Sequence, residues 1–220
     1  MAFHGKVALV TGGASGMGRL AARRLAAARA QVAILDVNEA GLRETKGDLA
    51  SIRAIPIDVT DARAVAAAVH QIETELGPID RVMNAAAIMP TDLLVDQDAD
   101  LVNRIMAINY GGTVNVTLAV LPGMLARGSG DLVNFASVAG WLPTLHFGAY
   151  NASKFAVVAF TEVLYHENRG RGQPRRASAD DQHIGRLSPH LRSESRHEPS
   201  AARMIRSISK WDVWTDGWRF

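Results

Sequence analysis

The stretch KVALVTGGASGMGRL, residues 6–20, decides the fold of this chain. It opens with a continuous apolar run, which is typical of a buried strand, and closes with residues that favour a helix. Between the two lie Gly12, Gly16 and Gly18. Glycine lets a chain turn sharply and lets other groups come close to the backbone. The stretch therefore predicts a strand, a tight turn and a helix in direct succession.

The same alternation continues along the chain as far as residue 168. Runs rich in Val, Ile and Leu predict strands at 6–12, 31–37, 52–59, 79–87 and 130–137. Amphipathic runs predict helices at 16–29, 39–49, 61–76, 99–126 and 150–168. Asp61 is the predicted N-cap region of the third helix, and Gly77-Pro78 ends it. Strands that alternate with helices form a parallel sheet with helices on both faces, so we expect a doubly wound, three-layer α/β/α fold.

Composition limits the class of protein. The 220 residues suffice for one full domain, and 48% hydrophobic with 21% charged residues is typical of a soluble globular protein. No cysteine is present, which excludes disulfides and thiolate metal sites, and we expect no metal. The first 13 residues have too short an apolar run for a signal peptide or a membrane span. We therefore expect a cytoplasmic protein without a membrane partner.

Residues 171–220 differ from the rest of the chain in composition. The net charge is −2 over 1–170 and +4 over 171–220, and Val occurs 18 times before residue 171 but once after it. No run between 171 and 209 predicts a strand, and the composition there is that of a poorly ordered segment. The basic charge fits a nucleic-acid arm, but no recognition motif accompanies it, so we expect no nucleic-acid partner. We divide the chain into a domain of residues 1–170 and a basic tail of residues 171–220.

The turn at residues 11–18 has the features of a dinucleotide-binding turn. A helix N-terminus presents unpaired N–H groups and the positive end of the helix dipole, and both bind a pyrophosphate. The residues predicted to bind it are Gly12, Ser15, Gly16, Met17 and Gly18. A tight turn without a ligand is the alternative. The strand before the turn, the helix after it and an acid at the end of the second strand favour the dinucleotide.

That acid is Asp36, in AILDV. A carboxylate at this point accepts hydrogen bonds from the ribose hydroxyls and repels a 2′-phosphate, so it favours NAD over NADP. Asp36 could instead be a solvated residue at a strand end. Three arginines on the first helix are open to two interpretations, as ligands of a 2′-phosphate or as a solvated helix face: Arg19, Arg23 and Arg24. We expect NAD as the cofactor, with NADP the lesser alternative.

The stretch AYNASKF, residues 149–155, places Tyr150 and Lys154 on one face of a predicted helix. Oxidation of an alcohol by hydride transfer requires the hydroxyl proton to leave. A phenol has an ordinary pKa of about 10, and a neighbouring ammonium lowers the pKa of a phenol towards the neutral range. The pair therefore fits a general acid/base. Taken alone, this spacing would more often be an exposed helix pair.

Five features in order along the chain resemble the short-chain dehydrogenases/reductases. They are TGxxxGxG at 11–18, Asn-Ala-Ala-Ala at 84–87, Asn109, Ser137 and Tyr150-x-x-x-Lys154, and the resemblance covers about residues 3–170. It implies a Rossmann-type fold. It also implies a nicotinamide-dependent enzyme that interconverts a secondary alcohol and a ketone, with Tyr150 as general acid/base. By the same resemblance, the helices at 99–126 and 150–168 form a homodimer or homotetramer.

The resemblance also assigns catalytic roles. Lys154 holds the nicotinamide ribose, and Tyr150 also belongs to the cofactor-binding residues. Asn109 bends its helix and holds a water that relays protons towards Lys154. Ser137 ends the fifth strand, at the edge where open α/β sheets bind their ligands. Its hydroxyl can donate to the substrate oxygen and stabilise developing negative charge. Without the resemblance, Asn109 would be read as an interior helix residue near two glycines.

Further cofactor contacts follow from the resemblance. The residues beside the adenosine are Asn84, Ala85 and Ala86, and those at the adenine ring are Asp58 and Val59. Ala85 and Ala87 stand where the family has Asn and Gly. Because both replacements are close in size to the family's residues, we expect a tightened turn and an intact site.

The segment GWLPTLHFGAY, residues 140–150, separates Ser137 from Tyr150. Its candidate pocket residues are apolar, namely Trp141, Leu142, Leu145 and Phe147. Apolar walls favour a hydrophobic ketone or secondary alcohol as substrate. Since Tyr150 fills the acid/base role, we assign no role to His146.

The resemblance ends near residue 172. In the family a sixth strand, a Pro-Gly turn over the nicotinamide, a substrate lid and a seventh strand follow, and residues 173–220 match none of them. We therefore expect the strand order 3-2-1-4-5, with the last strands missing or replaced and the fifth strand at an edge. The Arg/Ser/Pro/His-rich makeup suggests that the chain from about residue 173 is read in the wrong frame. A catalytically impaired dinucleotide-binding or scaffold protein is the alternative function.

Overall fold

A parallel sheet forms the centre of the fold. The computed structural model describes residues 4–168 and 178–179, and the fold is given for these residues. The strands are β1 Val7–Thr11, β2 Gln31–Asp36, β3 Ile52–Pro56, β4 Ile79–Asn84, β5 Asp131–Asn134 and β6 Ser178–Ala179. Their order is β3-β2-β1-β4-β5-β6, and every neighbouring pair is parallel. The expected order of the first five strands is thereby confirmed.

Strand β6 differs from the prediction, which placed no strand between residues 171 and 209. Ser178 and Ala179 pair in parallel with Val133 and Asn134 of β5. The outer edge of β5 presents backbone N–H and C=O groups that need partners, and two residues of any composition can supply them. Because this pairing uses backbone groups alone, it leaves no hydrophobic pattern for sequence analysis to detect.

The helices lie on both faces of the sheet. They are α1 Gly16–Ala27, α2 Glu39–Lys46, α3 Ala62–Leu76, α4 Ala99–Met106, α5 Gly112–Arg127 and α6 Gly148–Asn168. Successive strand residues point to opposite faces. Val7 and Leu9 pack with residues of α3, α5 and α6, whereas Ala8 and Val10 pack with residues of α1 and α2. The three-layer arrangement of a Rossmann-type fold is thereby confirmed.

Both faces of the central strands are covered. The side chains of Leu9, Val10, Ile34 and Leu35 are completely buried. Burial of one such side chain stabilises the fold by about 1.5–3 kcal/mol. The continuous apolar runs of β1 and β2 therefore reflect strands that are buried on both sides. This centre holds the carboxyl ends of the strands in place.

The start and the end of α3 agree with the sequence analysis. Asp61 is the N-cap, and its Oδ1 accepts hydrogen bonds from the backbone N–H groups of Arg63 at 2.9 Å and Ala64 at 3.0 Å. Gly77 follows the helix with a φ of 101°, which favours glycine. Local capping chemistry thus sets the bounds of this helix.

The long helix predicted before β5 is present, with a change of hydrogen-bonding pattern inside it. A π-helical turn, Ala107–Gly111, separates α4 from α5. By length and composition, the run Ala99–Arg127 could cross a membrane, with a mean hydropathy of 1.3. Val116, Val120 and Met124 in this run are buried in the core. Packing against the sheet accounts for its apolar composition.

The predicted boundary at residue 170 lies outside the described residues, as do 169–177 and 180–220. The proposed basic tail, its poor order and its reading in the wrong frame therefore stay predictions. So does the division into residues 1–170 and 171–220.

Candidate active site

The turn between β1 and α1 depends on two close approaches of the backbone. Gly12 has a φ of +67°, and a Cβ on it would lie 2.8 Å from the backbone nitrogen of Ala86. A Cβ on Gly18 would collide with the carbonyl oxygen of Gly12. Because the atoms in the way belong to the backbone, neither contact can relax by moving a side chain. Both positions require glycine.

The outer side of the same turn is open. Gly16 has a φ of +50°, and no atom lies within 4 Å of the position of its Cβ. Ser15 is the N-cap of α1, but its side chain makes no capping hydrogen bond. Ser15, Gly16 and Met17 are all exposed. The N-terminus of α1 thus has no side-chain cap and an open space beside it, and such a site can accommodate the pyrophosphate of a dinucleotide.

Asp36 lies at the end of β2 against this turn. Its Oδ2 accepts a hydrogen bond from the backbone N–H of Ala14 at 3.1 Å, and its Oδ1 accepts one from Asn38 at 3.0 Å. These bonds orient the carboxylate at the carboxyl edge of the sheet. The function of Asp36 towards a ribose stays a prediction, as does the alternative of a solvated residue at a strand end.

Two of the three arginines on α1 contact α2. The guanidinium of Arg19 donates to Glu44 Oε2 at 2.9 Å and to Thr45 Oγ1 at 3.0 Å. It also donates to the carbonyl of Ala14. Arg23 donates to the carbonyl of Glu44 at 2.7 Å. These side chains thus fasten α2 to α1 and to the glycine-rich turn.

The floor of the site is formed by backbone groups. The N–H groups of Ala85 and Ala86 each donate to Thr11 Oγ1 at 3.0 Å. The side chain of Asn84, in contrast, is buried in the core and donates to Thr117 Oγ1 at 3.1 Å and Asn134 Oδ1 at 2.9 Å. Asn84 therefore bonds β4 to β5 and α5. A contact between Asn84 and the cofactor stays a prediction. The side chain of Asn84 has the structural function of joining these elements.

The two residues predicted at the adenine ring differ in exposure. Asp58 is exposed, and its Oδ1 accepts hydrogen bonds from the backbone and hydroxyl of Thr60 at 2.9 and 2.8 Å. The side chain of Val59 is buried in the core, where it packs so closely on Gly112 that a Cβ there would lie 2.5 Å from it. Of this pair, only Asp58 presents its side chain at the surface.

Tyr150 and Lys154 lie in the first turns of α6. Lys154 is only 3% exposed, and its Nζ lies 5.5 Å from the centroid of the Tyr150 ring. The Nζ also donates to the carbonyl of Phe135 at 2.6 Å. A buried charge is stable only with such partners. The alternative of an exposed helix pair is therefore wrong.

Ser137 lies close to this pair along the chain and in the fold. It follows β5 and stands two residues beyond Phe135, whose carbonyl binds Lys154. Its hydroxyl oxygen accepts a hydrogen bond from the backbone N–H of Ala139 at 3.2 Å, which caps the 3₁₀ turn Val138–Gly140. The carboxyl end of β5 thus brings Ser137 and the partner of Lys154 to one edge of the sheet.

Asn109 occupies the π-helical turn and is 1% exposed. Its Oδ1 accepts from the backbone N–H of Ile88 at 2.8 Å, and its Nδ2 donates to the Ile88 carbonyl at 3.0 Å. The Nδ2 also donates to Ser153 Oγ at 3.0 Å, and this hydroxyl donates to the carbonyl of Tyr150 at 2.7 Å. Asn109 therefore connects the loop after β4 with α6. The proton-relay water stays a prediction.

Comparison with known proteins identifies the family. A family model described as short chain dehydrogenase matches residues 6–172. The chain belongs to the short-chain dehydrogenase family. The match includes every residue predicted above for the site of this short-chain dehydrogenase.

Its relatives are similar over most of this chain. The 2-dehydro-3-deoxy-L-rhamnonate dehydrogenase (NAD(+)) of a Sphingomonas species is 37% identical over 77% of this chain and 69% of that protein. The D-threitol dehydrogenase of Mycolicibacterium smegmatis is 40% identical over 76% of this chain and 66% of that protein. The solved apo form of LigO from Sphingobium has a TM-score of 0.74 and 30% identity over 78% of this chain and 66% of that one. The chain thus spans about two thirds of the length of these relatives.

Sequence analysis missed two residues that connect the site of this dehydrogenase. Asn151 and Ser153 stand between Tyr150 and Lys154, and both are buried. Ser153 bonds to Asn109 and to the Tyr150 carbonyl, and Asn151 bonds to the loop after Ser137. Asn and Ser are unfavourable in helix interiors, because their side chains compete for backbone groups. Two such residues inside one helical turn were a signal that their side chains have tertiary partners.

Two loops lie beside the first turn of α6, which carries Tyr150. In the segment 141–147, Leu142 and Leu145 are exposed, whereas Trp141 and Phe147 are half-buried. The Phe147 ring meets the Tyr150 ring edge-on at 6.3 Å between centroids. The loop after β4 adds Leu94, which sequence analysis missed and which packs on Gly148. Of these apolar side chains, that of Phe147 contacts the Tyr150 ring, and that of Leu94 packs where α6 begins.

The two loops are joined beside the candidate substrate region. His146 has a φ of +68°, which is uncommon for a residue other than glycine, and its carbonyl accepts a hydrogen bond from Asp92 N–H at 3.0 Å. The side chain of His146 is exposed. Its backbone thus has a structural function, although its imidazole has no assigned chemistry.

Proposed function

We propose that this short-chain dehydrogenase interconverts a secondary alcohol and a ketone by hydride transfer, with NAD as cofactor. One observation carries the proposal: a buried lysine ammonium lies beside the ring of Tyr150, at the edge of the sheet where Ser137 follows β5. A phenol next to a fixed positive charge can give up and take back a proton at neutral pH. The open glycine-rich turn provides room for the dinucleotide at the same edge.

Each catalytic side chain has a defined task. In the oxidation, the phenolate of Tyr150 takes the hydroxyl proton of the alcohol, and the charge of Lys154 stabilises the phenolate before this transfer. The hydroxyl of Ser137 donates a hydrogen bond to the substrate oxygen. The nicotinamide supplies the hydride acceptor when it is bound. In the reduction, Tyr150 returns the proton to the oxygen of the ketone.

Charges around the turn support NAD as the preferred cofactor. The carboxylate of Asp36 lies against Ala14 and would repel a 2′-phosphate. Arg19 and Arg23 are already bound to α2, so neither is poised for such a phosphate. A relative at 37% identity carries NAD(+) in its name. NADP is the less favoured cofactor.

The substrate proposed is a small apolar ketone or secondary alcohol. The flanking loops carry several hydrophobic side chains, and one of them, Phe147, contacts the Tyr150 ring. We further propose a cytoplasmic homodimer or homotetramer that binds neither nucleic acid nor membranes. Exposed apolar side chains on α5 and α6, such as Leu118, Phe155 and Val163, support an oligomer.

The test measures the oxidation of NADH with a panel of apolar ketones and the reduction of NAD with a panel of secondary alcohols. Both are followed by the absorbance of NADH. Tyr150→Phe retains the ring and removes the proton donor, so we expect kcat to fall by about 10²–10⁴-fold. Binding of NADH, followed by fluorescence, should remain unchanged. Tyr165→Phe removes a phenol from the same helix, away from Lys154, and should behave like the wild type.

Two outcomes would contradict the proposal. Equal turnover by Tyr150→Phe and wild type would exclude the acid/base function. NADH binding without turnover of any substrate in the wild type would support the alternative, a dinucleotide-binding protein without catalysis. Preference for NADPH in the same assay would contradict the function given to Asp36.

A further inference from the structure

Asn151 follows Tyr150 directly in α6 and is 5% exposed. Its Nδ2 donates two hydrogen bonds of 2.9 Å, to the carbonyl oxygens of Ala139 and Leu142. Its Oδ1 accepts a longer bond, 3.4 Å, from the backbone N–H of Thr144. Both donors and the acceptor of one buried side chain are therefore used by a single loop, residues 138–147.

This loop joins the two catalytic hydroxyl groups. It follows directly after Ser137, whose hydroxyl oxygen accepts a hydrogen bond from Ala139 N–H. Asn151 binds the carbonyl of the same Ala139. The loop ends at Phe147, whose carbonyl accepts from the backbone N–H of Asn151 at 2.7 Å. After the short turn that ends at Gly140, the loop has no helix or strand to hold its shape before residue 148. A few backbone bonds hold it, among them the bond from Asp92 N–H to the His146 carbonyl, and the side chain of Asn151 ties it to α6.

The backbone contact between loop and helix is also close. A Cβ on Gly140 would lie 2.7 Å from the carbonyl oxygen of Lys154. The loop thus lies directly on the turn of α6 that carries Tyr150, Asn151 and Lys154. A small shift of the loop would move Ser137 relative to the phenol, and a misplacement of about 1 Å can cost about 10²-fold in rate.

We propose that Asn151 is a positioning residue. It holds the loop of residues 138–147 against α6 and so sets the distance between the hydroxyl groups of Ser137 and Tyr150. The inference rests on the proposed function, because it assigns both hydroxyls to one reaction. Asn151 itself needs no contact with substrate or cofactor. Its amide acts through the loop, on the orientation of the Ser137 hydroxyl.

The test compares Asn151→Asp with wild type in the full-length protein. The aspartate has the same shape, but it faces two carbonyl oxygens with an acceptor in place of a donor. We expect hydrogen exchange in peptides covering residues 138–147, measured by mass spectrometry, to become at least about tenfold faster. We expect kcat per NADH-binding site to fall by about 10–100-fold, with the Kd for NADH within about twofold of wild type.

A control and a second variant make the outcome decisive. Thr144→Val removes another hydrogen bond to the Leu142 carbonyl, from within the loop, and should leave both exchange and kcat unchanged. If Asn151→Asp loses cooperative unfolding, Asn151→Ser provides the same comparison without a charge. Unchanged exchange of the loop in the folded variant, or unchanged kcat per binding site, would overturn the proposal.

The exchange measurement separates this proposal from the proposed function. A wild type without turnover would contradict the dehydrogenase activity, yet faster exchange of 138–147 in Asn151→Asp would still show that Asn151 holds the loop. A function limited to stability would lower the melting temperature and leave kcat per NADH-binding site at the wild-type value, and this result would also overturn the proposal.

Discussion

At the scale of single residues, the site depends on where the charge of Lys154 is held. The ammonium is buried and bonded to a backbone carbonyl, which cannot move away as an exposed side chain could. A charge held in a region of low dielectric acts more strongly on its neighbours than one in water. The Tyr150 ring, 5.5 Å away, therefore lies in a persistent positive field.

The glycines of the turn allow a prediction that separates folding from cofactor binding. Gly18→Ala places a Cβ on the Gly12 carbonyl and should lower the free energy of unfolding by about 3 kcal/mol. Gly16→Ala meets no atom, so only its positive φ opposes the change, at about 1–2 kcal/mol. Its Cβ would however occupy the space above the helix N-terminus, and NADH binding should weaken. Urea denaturation and NADH titration check both expectations. Equal stability of the two variants would contradict them.

At the scale of secondary-structure elements, the π-helical turn gives α4 and α5 a function beyond packing. The widened turn at Ala107–Gly111 carries Asn109, whose side chain reaches both Ile88 and Ser153. Sequence analysis predicted one helix across this region and, by resemblance, a bend at Asn109. The π-helical turn depends on hydrogen bonds from Asn109 to residues 21 and 44 positions away in the chain, and a local sequence pattern cannot predict these.

The N-cap of α3 is the element whose energetics are simplest to test. Asp61→Ala removes the acceptor for two backbone N–H groups, so we expect the free energy of unfolding to fall by about 1 kcal/mol. Asp61→Ser keeps an acceptor at the cap and should retain most of the stability. Chemical denaturation with an unchanged m-value is the measurement. A loss in the serine variant as large as in the alanine variant would contradict the capping function.

At the scale of the whole molecule, a buried chain of polar side chains joins the sheet to two helices. It runs from Thr117 on α5 through Asn84 and Asn134, which face each other on β4 and β5, to Thr161 on α6. All four are buried between the sheet and these two helices. Buried polar groups of this kind destabilise the fold when one partner is lost.

A double-mutant cycle tests this connection. Asn84→Ala and Asn134→Ala should each lower the free energy of unfolding by about 1–3 kcal/mol, because each leaves buried partners unpaired. The double variant should lose less than the sum, by about 0.5–3 kcal/mol. Asn134→Ala combined with Asp61→Ala, which shares no partner with it, should be additive. Strict additivity of the Asn84 and Asn134 changes would contradict the coupling.

The sequence by itself determined the succession of strands and helices, the glycine-rich turn and the cap of α3, because each depends on residues that are neighbours in the chain, and its motifs indicated the family and with it the strand order. Hydrophobic periodicity and turn chemistry are properties of short stretches of sequence, and each family motif is also a short stretch. Tertiary structure decided which distant groups meet. It directed Asn84 into the core, bonded Asp36 to Ala14, gave Asn151 the loop after Ser137 and added β6 to the edge of the sheet. Hydrogen-bond partners up to 75 residues apart are brought together by the packing of strands and helices, which exists only once the chain has folded.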